Sequence, residues 1–93
     1  NIRQTIELLE ISLNKNSPDG RKFGQLLDQA VRETTDSIRV LERGGLHPEA
    51  VAQLKEAQLL AWKASFSWFS KRRLARKALE ALKRARGLLV TAP

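Results

Sequence analysis

Arg43 and His47 sit four residues apart. An arginine–histidine pair can cleave RNA without a metal, the imidazole acting as base and the guanidinium stabilising phosphate charge. Nothing convergent surrounds this pair, so the plainer reading is preferred. His47 caps a helix that starts beside it, and Arg43 complements the dipole at the end of the preceding helix. Ser65, Ser67 and Ser70 would need an activating base to act as nucleophiles, and no histidine or lysine motif accompanies them. They read as small packing residues and, for Ser70, a helix cap. Glu7 and Glu10 are three residues apart, but neither is followed by the histidine that di-metal helical bundles place there. His47 is the only histidine and there is no cysteine, which leaves no strong ligand set for a metal and no thiol chemistry. Gly44-Gly45 lacks the spacing and the Lys-Ser/Thr ending of a phosphate loop. The expectation is a protein that is not an enzyme, with no catalytic residue, no metal and no cofactor.

The charge pattern is more specific. Residues 1–70 contain nine Lys/Arg and nine Asp/Glu, so the whole net charge of +7 lies in residues 71–93. There Lys71, Arg72, Arg73, Arg76, Lys77, Lys83, Arg84 and Arg86 stand against Glu80 alone. At 3.6 residues per turn, the cations after Lys71 share one half of a helix roughly 30 Å long. A solvated face is the usual reading of a charge run, but it leaves unexplained why this segment is unbalanced while the rest cancels. The expected partner is nucleic acid, DNA or RNA, held by its backbone and not sequence-specifically. Five of the eight cations are arginine, which bonds phosphate bidentately, and no Asn, Gln, Ser or Thr shares the cationic face to read bases. Trp68, at the edge of the preceding aromatic run, joins this set as a ring able to stack on a base or seat in a partner. Trp62, Phe66 and Phe69 are expected in the core, because they share an apolar arc.

These residues need helices to position them. Ala, Leu, Arg, Lys, Glu and Gln dominate the chain, and no stretch alternates as a half-buried strand does. The first helix is expected over about residues 2–14, with Ile2, Ile6, Leu9 and Leu13 on one face, widened by Leu8 and Ile11. The second runs over about 18–43 from a Ser17-Pro18 start or from just after Gly20, with a stripe of Phe23, Leu27, Ala30, Val31, Thr34, Ile38 and Leu41, and stops at Gly44-Gly45. The third opens at His47-Pro48-Glu49 and runs to about residue 68, burying Val51, Leu54, Ala61, Trp62, Ser65, Phe66 and Phe69. The fourth spans about 71–90, with Leu74, Ala75, Ala78, Leu79, Ala81, Leu82, Ala85, Leu88 and Leu89 opposite the cations. The apolar arcs of the third and fourth helices, as assigned here, are roughly 160° out of phase, so a turn near Ser67–Ser70 is expected between them.

The fold class is therefore all-α: one domain over residues 1–93, a small up-down four-helix bundle with short loops. The alternative is three helices with a long rod-like third helix. No run approaches the roughly 20 apolar residues of a membrane span, and no basic start with an apolar run marks a signal peptide. With no cysteine, a cytoplasmic setting is expected and a membrane partner is not. The functional expectation is a non-catalytic nucleic-acid-binding module, a small subunit or domain of a larger ribonucleoprotein or DNA-processing assembly. The alternative is a protein–protein interaction or oligomerisation bundle whose basic face meets an acidic partner. Leu8, Ile11, Leu26, Val40 and Leu60, apolar residues outside the main stripes, motivate contact with other protein subunits or self-association.

Overall fold

Helix-favouring composition broken at three short turn-forming stretches yields four helices. The computed structural model describes residues 2–14, 20–45, 47–67 and 69–91. The helices are α1 (Ile2–Asn14), α2 (Gly20–Gly44), α3 (Pro48–Phe66) and α4 (Lys71–Thr91). The Ser17-Pro18 start considered for α2 lies outside the described residues. Gly45 ends α2 in the left-handed region at φ 62°, where a Cβ would be strained, and donates its N–H to the Glu42 carbonyl at 3.1 Å. Between α3 and α4 the chain breaks as expected. Ser67 is extended (φ −89°, ψ 135°), so the rod does not form and α3 ends at Phe66.

α1 packs on α2 and α4, α3 packs on the same two helices, and α3 with α4 makes the most intimate pair. The side-chain ties fix the directions. Glu42 meets Lys55 at 2.9 Å and Thr35 accepts from Gln58 at 2.5 Å, so α2 and α3 run antiparallel. Leu13 meets Arg72 and Glu10 meets Lys83, so α1 and α4 do too. This is the up-down bundle, and it is 40 Å long. Among the described residues no helix is long and apolar enough to cross a membrane.

The core follows the expected stripes on three helices. Ile6, Leu9 and Leu13 are buried on α1, Phe23, Leu27, Ala30, Thr34 and Ile38 on α2, and Ala75, Ala78, Leu79, Ala81, Leu82 and Ala85 on α4. On α1 the face is narrower than expected: Leu8 and Ile11 are exposed, and buried Thr5 lies inside instead. Val40 is also exposed, whereas Leu26 and Leu60 are partly buried against the core.

α3 departs from expectation. Its buried stripe is Ala50, Val51, Leu54, Ala57, Ala61 and Ala64, not the aromatic arc. Trp62 is 52% exposed, Phe66 70% and Phe69 100%, so none of the three belongs to the core. The physical reason is the facing surface. α4 offers Ala75, Ala78, Ala81 and Ala85, and methyl groups on both sides let the backbones approach closely. A dense contact of that kind has no room for an indole, and the rings turn outward.

Candidate nucleic-acid interface

The α3–α4 turn sets where the cationic helix begins. Ser67 donates its N–H to the Ala64 carbonyl at 3.2 Å, and its Oγ accepts the Ser70 N–H at 2.9 Å. The Ser70 carbonyl then accepts from the Leu74 N–H at 2.8 Å, opening α4. Ser70 thus stands at the helix start as expected, while its hydroxyl is met by Arg73 Nη2 at 3.3 Å. With the Ala/Leu side of α4 buried, Arg72, Arg73, Arg76, Lys77, Lys83, Arg84 and Arg86 are exposed, and Lys71 is half-buried.

The cations divide into two groups. Arg72 Nη2 donates to the Leu13 carbonyl at 2.6 Å, in the last turn of α1, where the helix dipole favours positive charge. Lys83 pairs with Glu10 at 3.2 Å, and Arg84 reaches Glu56 at 3.7 Å and Gln53 Oε1 at 2.9 Å. These three tie α4 to its neighbours. Lys71, Arg73, Arg76, Lys77 and Arg86 have no ion pair within 4.0 Å among the described residues. Arg73, Arg76 and Lys77 fall within about 100° of one another on the first turns of α4, with Glu80 one turn further along; Arg86 lies well round toward the α1 side. The free positive charge is therefore concentrated at one end of the helix, not spread along it. Trp68 lies outside the described residues.

The local electrostatics are unfavourable as they stand. Lys71, Arg72 and Arg73 occupy the first turn of α4, beside the positive pole of its dipole. Arg73 is three and four residues from Arg76 and Lys77, the spacing at which like charges repel on a helix, and Glu80, at the same spacing from Arg76 and Lys77, offsets this only in part. An anion at this end relieves both terms.

At the same end stand the three exposed rings, which sequence reasoning placed in the core. Trp62 and Phe66 meet edge to face, with centroids 5.1 Å apart and planes at 70°. They form one wall of a cleft of about 390 Å³ between α2 and α3, which Asp28 and Arg32 also line. At 100° per residue these two rings lie roughly 120–160° from the alanine stripe of α3. The signal that could have found them is the alanine stripe itself, once alanine is allowed as core.

The other candidate chemistry is spoken for locally. Ser65 Oγ donates to the Trp62 carbonyl at 2.6 Å, so all three serines serve helix ends and turns. His47 occupies the N-cap of α3, but through its backbone: its carbonyl accepts from Val51 at 3.0 Å, and its side chain makes no capping bond. Arg43 is in the last turn of α2, as expected. Among the described residues no group of three His, Cys, Asp or Glu side chains gathers to hold a metal. One carboxyl is perturbed. Burial pushes Glu33 up, and the hydrogen bonds it accepts, with Thr5 and Gln29 among the donors, outweigh that and hold it below its ordinary value.

No protein-family model matches the chain, and no curated protein and no solved structure matches it.

Proposed function

We propose that this protein is a non-catalytic nucleic-acid-binding module that holds the phosphate backbone through the start of α4, as a small subunit or domain of a larger cytoplasmic ribonucleoprotein or DNA-processing assembly. One observation carries the reading. Arg73, Arg76 and Lys77 are exposed, clustered and without an acidic partner among the described residues, in a chain whose first 70 residues balance their charge. Lys83 and Arg84, half-exposed, extend the positive field while bracing the bundle. A field of this shape attracts a polyanion and orients the protein as the two meet.

Binding of an oligonucleotide of arbitrary sequence, followed by anisotropy across a salt series, tests it. Affinity falls steeply with salt, and Arg73/Arg76/Lys77→Ala lowers the log–log slope by about 2–3, a little under one for each phosphate no longer neutralised. Flat salt dependence, or a triple variant that binds like the parent, refutes the reading.

Ile11, Val40 and Val90 are exposed apolar side chains, and they favour a second reading, self-association or contact with another subunit. Sedimentation at high concentration separates the two: a monomer removes self-association.

A further inference from the structure

We infer that the nucleic acid taken here is single-stranded, with unpaired bases stacked on Trp62, Phe66 and Phe69. This rests on the backbone-binding reading above and adds what meets the rings at the same end of the bundle as the cations.

Three large rings stand at one end of the bundle instead of in its core. Phe69 has no burial at all, and Phe66 keeps most of its surface in water. Packing gains little from rings so placed, yet their faces remain available to a flat partner. Trp62 and Phe66 wall the cleft between α2 and α3, whose volume of about 390 Å³ is ample for one nucleobase. Its polar lining suits a base edge: Asp28 accepts from exocyclic amines and Arg32 donates to ring acceptors or to a phosphate.

Charge decides the class of occupant. Lys63 follows Trp62 in the sequence, Arg32 lines the cleft, and Arg73 folds back onto Ser70 in the turn that carries Phe69. Basic side chains thus accompany the rings, with Asp28 the acid on the cleft's lining, and this suits a chain that alternates aromatic planes with negative charge. Stacking of successive bases on aromatic side chains beside a basic track is how proteins hold single strands without reading sequence. A duplex keeps its bases paired and stacked inside, so it meets the cations and not the rings.

The test compares labelled single-stranded and duplex oligonucleotides of equal length and arbitrary sequence, by anisotropy at two salt concentrations. The proteins are the parent, Phe66→Ala/Phe69→Ala, Phe69→Ala alone and Arg73/Arg76/Lys77→Ala. The parent binds the single strand more tightly. The double phenylalanine variant loses about 25-fold or more for the single strand, given fivefold or more for each ring, and keeps its duplex affinity and its salt slope. Phe69→Ala, at a fully exposed position, gives a loss that misfolding does not explain. Equal affinity of the parent for both forms, or phenylalanine variants that bind as the parent does, overturns the single-strand inference and leaves backbone binding standing. Absence of binding to either form in dilute salt overturns both. An acidic peptide that binds in place of the single strand, through the same rings, also overturns it.

Discussion

Two substitutions on α3 separate the packing seen here from the one its residue types suggest. Ala57 is 1% exposed and sits at the middle of the helix, on its buried alanine stripe. Replacing it with Leu forces three further carbon atoms into an interface already closed on both sides by methyl groups. Overpacking of a filled core costs about 1–3 kcal/mol. Phe66 is 70% exposed, so only about a third of its surface is removed from water on folding. A fully buried phenylalanine removes about 200 Å² from water, so Phe66 removes about 60 Å², worth at most about 1.5 kcal/mol at 25 cal/mol per Å². Compactness of the unfolded chain brings this to about 1 kcal/mol, no cavity is left behind at an open site, and loss of the edge contact with Trp62, about 0.5 kcal/mol, is offset by alanine's better helix propensity.

The expected order is therefore the reverse of intuition: the small-to-large change at alanine does more damage than the removal of a phenyl ring. A 93-residue chain has about 5–14 kcal/mol of stability in all, so a loss of 2 kcal/mol is large. Thermal unfolding by circular dichroism reads it as a fall of about 8–16 °C for Ala57→Leu and about 4–8 °C for Phe66→Ala. A core phenylalanine would cost about 3–5 kcal/mol on truncation. If Phe66→Ala proves the more damaging change, or if Ala57→Leu raises the melting temperature, the alanine contact is not the seam of this bundle and the rings are not free.

Three further outcomes follow from particular atoms. His47 holds a left-handed backbone at φ 53° with no side-chain bond in return, so His47→Gly raises stability by about 0.5–1 kcal/mol in a urea titration. Thr5 donates its hydroxyl to the Glu33 carboxylate, and Thr5→Val costs about 1–2 kcal/mol at neutral pH. Because the folded Glu33 lies below its ordinary 4.5, its stabilisation is complete above that pH and is lost as pH falls through the folded value, so urea midpoints of Thr5→Val change less on acidification than the parent's. Arg73/Arg76/Lys77→Ala removes three like-charge spacings (Arg72–Arg76, Arg73–Arg76 and Arg73–Lys77) and a cation from the positive end of a helix, against two favourable spacings to Glu80, and raises the melting temperature by a few degrees at most, under about 1 kcal/mol, while weakening nucleic-acid binding.

The helices and their order were legible because leucine, isoleucine and phenylalanine mark a buried face when they recur at 3.6 residues. α2 shows this best: its stripe from Phe23 to Ile38 is the one the spacing selects. α3 misleads because the same rule ranks tryptophan and phenylalanine above alanine. Ala50, Leu54, Ala57, Ala61 and Ala64 recur at four, three, four and three residues, a seam as regular as any in the chain, and small size conceals it. The expected phase difference across the turn carries the same error. Measured from the buried stripes, α3 and α4 differ by about 70°, not about 160°, so phase alone is a weaker reason for a break. The break is local, made by extended Ser67 and its bond to Ser70. On α4 the cationic face was readable, but its division into tied and free charges was not. The partners of Arg72 and Lys83 come from α1, some sixty to seventy residues earlier, and only the closing of the bundle brings them near.

The alanine seam and the candidate interface are one feature seen from two sides. A leucine seam would hold α3 and α4 further apart and open space for large rings between them. Methyl groups close that space, so Trp62 and Phe66 are driven to the surface. The same close approach brings Gln53 and Glu56 of α3 against Arg84, midway along α4. Glu10 neutralises Lys83 from the other flank, and no acid reaches Arg73, Arg76 or Lys77 among the described residues. Rings and free cations thus share the end of the bundle that holds the α3–α4 turn, the cations on α4 and two of the rings on the α2 side of α3. Folding alone gives no reason to keep them there, since the cations repel one another and the rings are left in water. A partner that is both anionic and aromatic answers both costs at once. The opposite signs expected for Arg73/Arg76/Lys77→Ala, a gain in stability with weaker binding, are the behaviour of a surface whose charges serve a partner and not the fold.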